Sequence, residues 1–279
     1  MLKTADIRRR FDRAAAAFDD HDFVHRHTAG GLIDRLDGLV VDAGLVVDLG
    51  CATGGATAAL RKRFRGSTVV GVDSSAEMLK HYRGRGSLLS RARAVRADAR
   101  ALPFADDSAD VVFANLLLPW VADVGAICRE VSRVLREDGL FAFSTLGPDS
   151  FAELAAAWGD AEDHVHRFLD MHDLGDALVR SGLRDPVLDV DRLEISYRST
   201  ADLFRDLTAT GSRNCLEERR RSLVSRQRFD AMRARLDGES GDGFRLELEL
   251  VYGHSWGGRT IQDAGAVRID PDGIPIRRR

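Results

Sequence analysis

Cysteine is scarce in this 279-residue chain: Cys51, Cys128 and Cys215 stand far apart, with no C-x-x-C spacing. That spacing supports neither a disulfide framework nor a zinc site, so a reducing, cytoplasmic setting without a metal is the expectation. Long apolar runs are also missing, since none reaches the ~20 residues that cross a bilayer. The opening segment MLKTADIRRRFDRAAAAF lacks the apolar core of a secretory signal, and Asp6, Asp12, Asp19 and Asp20 argue against an Arg-rich organelle presequence. Charge of one sign is not in excess: 41 Lys and Arg against 44 Asp and Glu leave a net charge of −3. No whole-chain attraction to nucleic acid follows from that balance. No internal repeat is visible. What is present is the means for a buried core, with 44% hydrophobic and 30% charged residues in a soluble globular composition.

The organising stretch is LVVDLGCATGGATA, Leu45 to Ala58. An apolar run interrupted by Asp48 passes through Gly50, Ala52, Gly54 and Gly55 and becomes Ala-rich, which reads as strand, tight turn and helix start. Glycine lets backbone approach a ligand there, and a following helix presents free N–H groups and the positive end of its dipole. Such a turn holds an adenosine-type cofactor or is simply structural. A second run ends at Asp73, roughly 20 residues on, where a carboxylate can accept from both ribose hydroxyls or cap the next helix in competition with Ser74 and Ser75. A third acid, Asp98, precedes Leu102, Pro103 and Phe104, whose apolar side suits an adenine while Asp98 accepts its amine. The GCATG turn lacks the G-x-G-x-x-G spacing of a dinucleotide site. Asp48, Asp73 and Asp98 in this order resemble the class I S-adenosylmethionine methyltransferases.

Strands are predicted at Leu45–Leu49, Thr68–Val72, Ala94–Ala97, Asp110–Ala114 and Leu140–Thr145, with helices near Ala56–Phe64, Ala76–Arg83 and Val124–Leu135 stopped by Gly139. The alternation predicts an α/β, doubly wound, mostly parallel Rossmann-like sheet. Before it come helices at Thr4–Ala17 and Phe23–Leu39. After it come helices near Ser150–Trp158, Asp173–Ser181 and Ala201–Ala209, an extended Pro186–Tyr197, and an Arg-rich helical region, Arg219–Leu236. Phe244 to Tyr252 alternates apolar and polar residues, the pattern of an antiparallel edge strand. Four regions result: an N-terminal helical lid (1–42), a cofactor core (43–146), substrate-side helices and closing strands of the same domain (147–256), and a poorly ordered tail (257–279).

The segments FDRAAA, DLGCATG, LPFADDSADVVFANLLLPWV, LREDGLFAFSTLGPDS, HVHRFLDMHDLGDALVRSGL and LVYGHSWG together resemble the malonyl-acyl-carrier-protein O-methyltransferases of biotin synthesis, from about Ile7 to Trp256. The resemblance implies S-adenosylmethionine bound by Asp48, Gly50, Ala52, Gly54, Asp73, Ser74, Met78, Asp98, Ala99, Asn115 and Leu116, with Leu116 to Trp120 walling the transfer site. It also implies malonyl-acyl carrier protein, an acidic protein, as substrate and partner. Four positions depart from the family pattern: Ala52 for glycine, Phe18 for tyrosine, Pro119 for glutamine and His166 for asparagine.

The implied acceptor is a carboxylate with a pKa of about 4, ionised at neutral pH without a general base. Arg167, His21 and His164 are the candidate catalytic residues, as cations that would hold it. Arg167 has the planar fork that matches a carboxylate, against the alternative of a surface ion pair. Arg213, Arg219, Arg220, Arg221, Arg226, Arg228, Arg233 and Arg235 would steer an acidic carrier or form a solvated helix face; Phe229 is the one aromatic among them, too few for the interleaving that nucleic-acid binding would require. Two further readings stay open: methylation of a small lipophilic acceptor, and a cofactor-binding assembly factor of the complex I type.

Overall fold

The computed structural model describes residues 2–83, 93–159, 164–216, 224–238 and 243–258. Helices α1 (Thr4–Ala14), α2 (Phe18–His21) and α3 (Phe23–Asp34) precede the sheet. Then follow β1 (Leu45–Leu49), α4 (Thr57–Arg63), β2 (Thr68–Asp73), α5 (Ala76–Arg83), β3 (Arg93–Arg96), β4 (Ala109–Asn115), α6 (Val124–Val134) and β5 (Leu135–Leu146). The second half contributes α7 (Ala152–Trp158), α8 (Met171–Arg180), β6 (Arg184–Tyr197), α9 (Thr200–Ala209), α10 (Arg226–Asp237) and β7 (Phe244–Trp256).

The seven strands lie in the order β3-β2-β1-β4-β5-β7-β6. The first five are parallel, and β7 runs antiparallel between β5 and β6. The closing strand therefore has the expected direction but sits one place in from the edge, which β6 occupies. Its alternation has the expected cause, one buried face and one polar face. Leu246, Leu248, Leu250 and Tyr252 are buried on one face, while Glu247 and Glu249 accept from Arg192 and from the Asp149 amide on the other.

Helices α3, α4, α7, α9 and α10 cover one face of the sheet through Leu32, Leu60, Leu154, Leu203 and Met232. Helices α6 and α8 cover the other through Ile127, Val131, Leu174 and Leu178. Strands β1 and β4 are apolar on both faces, as central parallel strands must be.

Three boundaries differ from expectation. The first helix stops at Ala14, where an Ala17 N–H to Ala14 carbonyl bond tightens the turn and redirects the chain into α2. The second stops at Asp34, because the Leu36, Asp37 and Leu39 amides bond three residues back instead of four. Gly139 is not a helix stop: α6 ends at Val134 with Leu135 already extended, and Gly139 lies within β5. Arg219 to Arg221 and the tail from residue 259 lie outside the described residues. Among the described residues, no helix is long and apolar enough to cross a membrane.

A Cβ on Gly253, in the middle of β7, would run into the Phe143 ring and Leu188. Gly253→Val should therefore lower the urea-unfolding free energy by about 1–3 kcal/mol through overpacking.

Candidate active site

The glycine turn is tied down from within. The amides of Gly50 and Cys51 both donate to the Val72 carbonyl (2.8 and 3.1 Å), Ala52 N–H donates to Asp73 Oδ2 (2.9 Å), and Gly54 N–H to the Cys51 carbonyl (2.7 Å). Amides engaged in this way cannot cradle a phosphate, which separates this turn from nucleotide-phosphate loops. Gly50 (φ 74°) and Gly54 (φ 84°) adopt left-handed conformations, and a Cβ on Gly54 would strike the Tyr82 ring. Ala52 shares the left-handed region at φ 46°, a conformation that costs an L residue with a Cβ roughly 1 kcal/mol.

Asp73 joins both ends of this region. Its Oδ1 accepts from the Ser75 amide (2.7 Å) while Oδ2 holds Ala52. Burial pushes its carboxyl above the usual range, opposed by those amides. The helix cap itself is Ser75, whose Oγ accepts from Met78 N–H (3.1 Å) and donates to Asp12 of α1 (2.6 Å). Thr53 Oγ1 likewise donates to Asp19 of α2, so the N-terminal helices are latched onto the cofactor turn.

A cleft of about 120 Å³ runs along this turn. Gly50, Ala52, Asp73, Ser74, Asp98, Ala99, Asn115 and Leu116 line it, and Thr4, Ile7, Phe11 and Phe18 of the N-terminal helices close it. Eight of the eleven expected cofactor residues are thus brought together. Three are not. Asp48 is buried away from the cleft and accepts from Thr57 Oγ1 (2.7 Å), so it orders the turn. Gly54 is packed under Tyr82, and Met78 is buried among Ala14, Ala15 and Phe18. Asp98 lines the cleft but is forked by Arg100 (3.0 and 2.7 Å), which lowers its pKa; an adenine amine would share this carboxylate with Arg100.

A second cavity, about 690 Å³, adjoins the cleft. The two share His25, Leu116 and Trp120, which marks where a donor in one meets an acceptor in the other. Its walls are mostly apolar (Phe23, Val24, Phe151, Trp158, Phe204, Leu248), with Arg10, Arg13, His21, His164 and Arg213 among its polar lining. His21 Nδ1 lies 2.6 Å from Asp206 Oδ1, and His164 stacks on Trp158 with centroids 3.9 Å apart.

Arg167 does not join them. Its side chain is exposed and lines neither cavity, because the neighbouring His166 turns inward, accepts from Cys215 N–H (2.7 Å) and packs edge-on against Trp120. Arg10, Arg13, Asp206 and His25 are site residues that the sequence alone does not single out, while Arg213, expected to steer an acidic carrier, lines the larger cavity. Arg13 lay within the FDRAAA motif; His25 and Asp206 carry no local signal. In α10, Arg226 and Arg233 pair with Asp230 on the exposed face of the helix, and Arg235 joins α10 to α7 through the Ala157 and Trp158 carbonyls.

Two predictions follow from the turn. Burial raises the Asp48 pKa to about 7, above its unfolded value, so its stabilising share is full below about pH 4 and is lost as pH rises through 7. Between pH 5 and 8 the Tm of wild type should fall more than that of Asp48→Asn. Ala52→Gly should raise stability by about 0.5–1 kcal/mol in urea titration by relieving the left-handed alanine, with cofactor affinity within about tenfold of wild type.

Comparison with known proteins gives the lineage of this arrangement. The methyltransferase domain family matches residues 47–143, from β1 to β5. A malonyl-acyl carrier protein O-methyltransferase of Halorhodospira halophila is 41% identical, with 98% of this chain and 96% of that protein covered. Its counterpart in Methylovorus sp. is 40% identical over 92% and 90%, and that of Xylella fastidiosa 35% over 100% and 98%. Among solved structures, the YcgJ protein of Bacillus subtilis superposes with a TM-score of 0.62 at 18% identity, covering 83% of this chain and 98% of that one, which shows the shared fold. With similarity of that extent running through the lid and the substrate-side helices as well as the core, the chain belongs to the malonyl-acyl carrier protein O-methyltransferase family.

Proposed function

We propose that the protein transfers a methyl group from S-adenosylmethionine to the free carboxylate of malonyl-acyl carrier protein, producing the methyl-ester primer of biotin synthesis. The observation that carries this reading is the near-complete coverage at 41% identity, which includes the elements that build the second cavity. S-adenosylmethionine is the cofactor of this methyltransferase family. It fits the narrow cleft on its chemistry: two carboxylates, Asp73 and Asp98, face a ligand rich in hydroxyl and amine donors, and the turn offers no set of free amides to a phosphate.

The bound cofactor supplies an electrophilic methyl on a sulfonium. The chain's own contribution is placement. Trp120, Leu116 and Phe18 exclude water from the junction, which removes the hydration shell of an acceptor carboxylate. Alignment of the two reactants is worth roughly 7–11 kcal/mol in well-oriented systems. The long apolar wall of the larger cavity suits the pantetheine arm that delivers a malonyl thioester. Arg13 and Arg213 supply positive charge among its lining residues, suited to an acidic carrier. The same apolar wall also fits a small lipophilic acceptor, which would gain nothing from those arginines.

Methyl transfer to malonyl carrier protein tests the reading directly, with a lipophilic phenol as the competing acceptor; activity on the phenol alone would reverse it. Reversing Arg13 and Arg213 to Glu should slow reaction with the carrier protein at least tenfold more than with malonyl-coenzyme A, and the difference should shrink as salt rises. Asp73→Ala should weaken cofactor binding by about 1–3 kcal/mol in calorimetric titration, since it leaves ribose hydroxyls and two backbone amides without an acceptor.

A further inference from the structure

Of the three residues expected to anchor the carboxylate, Arg167 lies outside both cavities, while His21 and His164 line the larger one but are not among the residues it shares with the cofactor cleft. Of the three residues common to both, Leu116 is apolar, Trp120 offers an indole N–H, and His25 offers an imidazole. His25 is held firmly at this position. Its carbonyl accepts from Asn115 Nδ2 (3.0 Å) at the end of β4 and from Thr28 Oγ1 (3.1 Å), and its ring packs against Phe18 with centroids 4.9 Å apart. One ring nitrogen, Nδ1, is sealed from water and has no hydrogen-bond partner. Any hydrogen bond from the ring to a bound molecule therefore comes from the other nitrogen, Nε2.

We propose that His25 is a catalytic residue that holds the acceptor carboxylate at the transfer point as a neutral donor, through Nε2–H. The proposal rests on the carboxyl-methylation reading above. Burial lowers the His25 pKa to about 4, so the ring carries no charge at neutral pH before the acceptor binds. The charged and titratable groups lining the adjoining cavities, besides His25, are Arg10, Arg13, His21, His164, His166, Tyr197, Asp206 and Arg213 on one side and Asp73, Asp98 and Arg100 on the other.

Neutrality suits the reaction. A cation at this point would repel the sulfonium and draw electron density from the attacking oxygen; an uncharged N–H positions the oxygen with less loss of nucleophilicity. A carboxylate oxygen forms a bond to the methyl carbon, the carbon–sulfur bond breaks, and its electron pair stays on sulfur. The sulfonium becomes a neutral thioether and the carboxylate a neutral ester. No proton moves, so His25 keeps Nε2–H throughout and needs no route to solvent for Nδ1.

Two measurements test this. Nitrogen-15 NMR of the protein at pH 7 should show the His25 ring neutral and protonated on Nε2; an imidazolium or an Nδ1-protonated ring would overturn the proposal. Malonyl-pantetheine binding by calorimetry, with S-adenosylhomocysteine present, should weaken at least tenfold in His25→Leu and less than threefold in His25→Gln, whose amide restores a neutral donor. Turnover should follow the same order, with cofactor affinity unchanged in both variants. Equal acceptor binding by wild type and His25→Leu, or equal loss in both variants, would assign His25 to packing. Wild-type protein that methylates only a lipophilic acceptor would overturn the carboxylate reading and this assignment together, a result distinct from active wild type with an indifferent His25.

Discussion

The side-chain amide of Asn115 joins the parts of this molecule that have to meet. It donates to the His25 carbonyl on α3, accepts from Ser144 Oγ on β5 (2.8 Å), and through Ser144 fixes the Leu116 amide (3.1 Å) just beyond β4. One side chain thereby ties the lid, two central strands and the first turn after β4. The backbone at Leu116 is left-handed (φ 50°), and that geometry turns Leu116 into the wall between the two cavities. A half-buried amide bonded on both its nitrogen and its oxygen couples lid position to the integrity of the transfer point.

The lid is held by acids meeting hydroxyls. Asp12 accepts from Ser75 and Asp19 from Thr53, both on the cofactor side, while His21 meets Asp206 on the acceptor side. These contacts depend on the same N-terminal helices that supply Phe11 and Phe18 to the cleft. Cofactor enclosure and acceptor-cavity shape are thus properties of one short region. At the turn the electrostatics differ: Asp48 in the core accepts from a hydroxyl and Asp73 on the cleft wall from two amides, and desolvation raises both pKa values. An ordered turn is obtained there at the expense of stability above neutral pH.

Much of the fold was legible in the chain. Glycine at a strand end, period-two runs and period-3.6 helices depend on neighbours in sequence, so β1, β2, β4, α5 and α6 emerged within a residue or two. The cofactor cleft was legible for the same reason: its residues hang from successive strand ends, and the order of elements along the chain dictates their proximity. Asp48 and Met78 lie outside the cleft, Asp48 ordering the turn through Thr57 and Met78 packed on Ala14, Ala15 and Phe18, a choice of facing that no spacing reveals.

The sequence by itself determined the doubly wound architecture, the family and the cleft, because these follow from local conformation and from long stretches shared with relatives. Only the tertiary structure decided the acceptor side. Partners such as His21 and Asp206 are 185 residues apart, and Asn115 and His25 are 90 apart, so no local pattern links them. Tertiary packing also placed β7 inside the sheet, sent Arg167 outward when His166 took the inward position beneath Cys215, and set His25 between the two cavities. Each of these outcomes depends on which side chains fill the space between distant elements, and that competition exists only once the chain is folded.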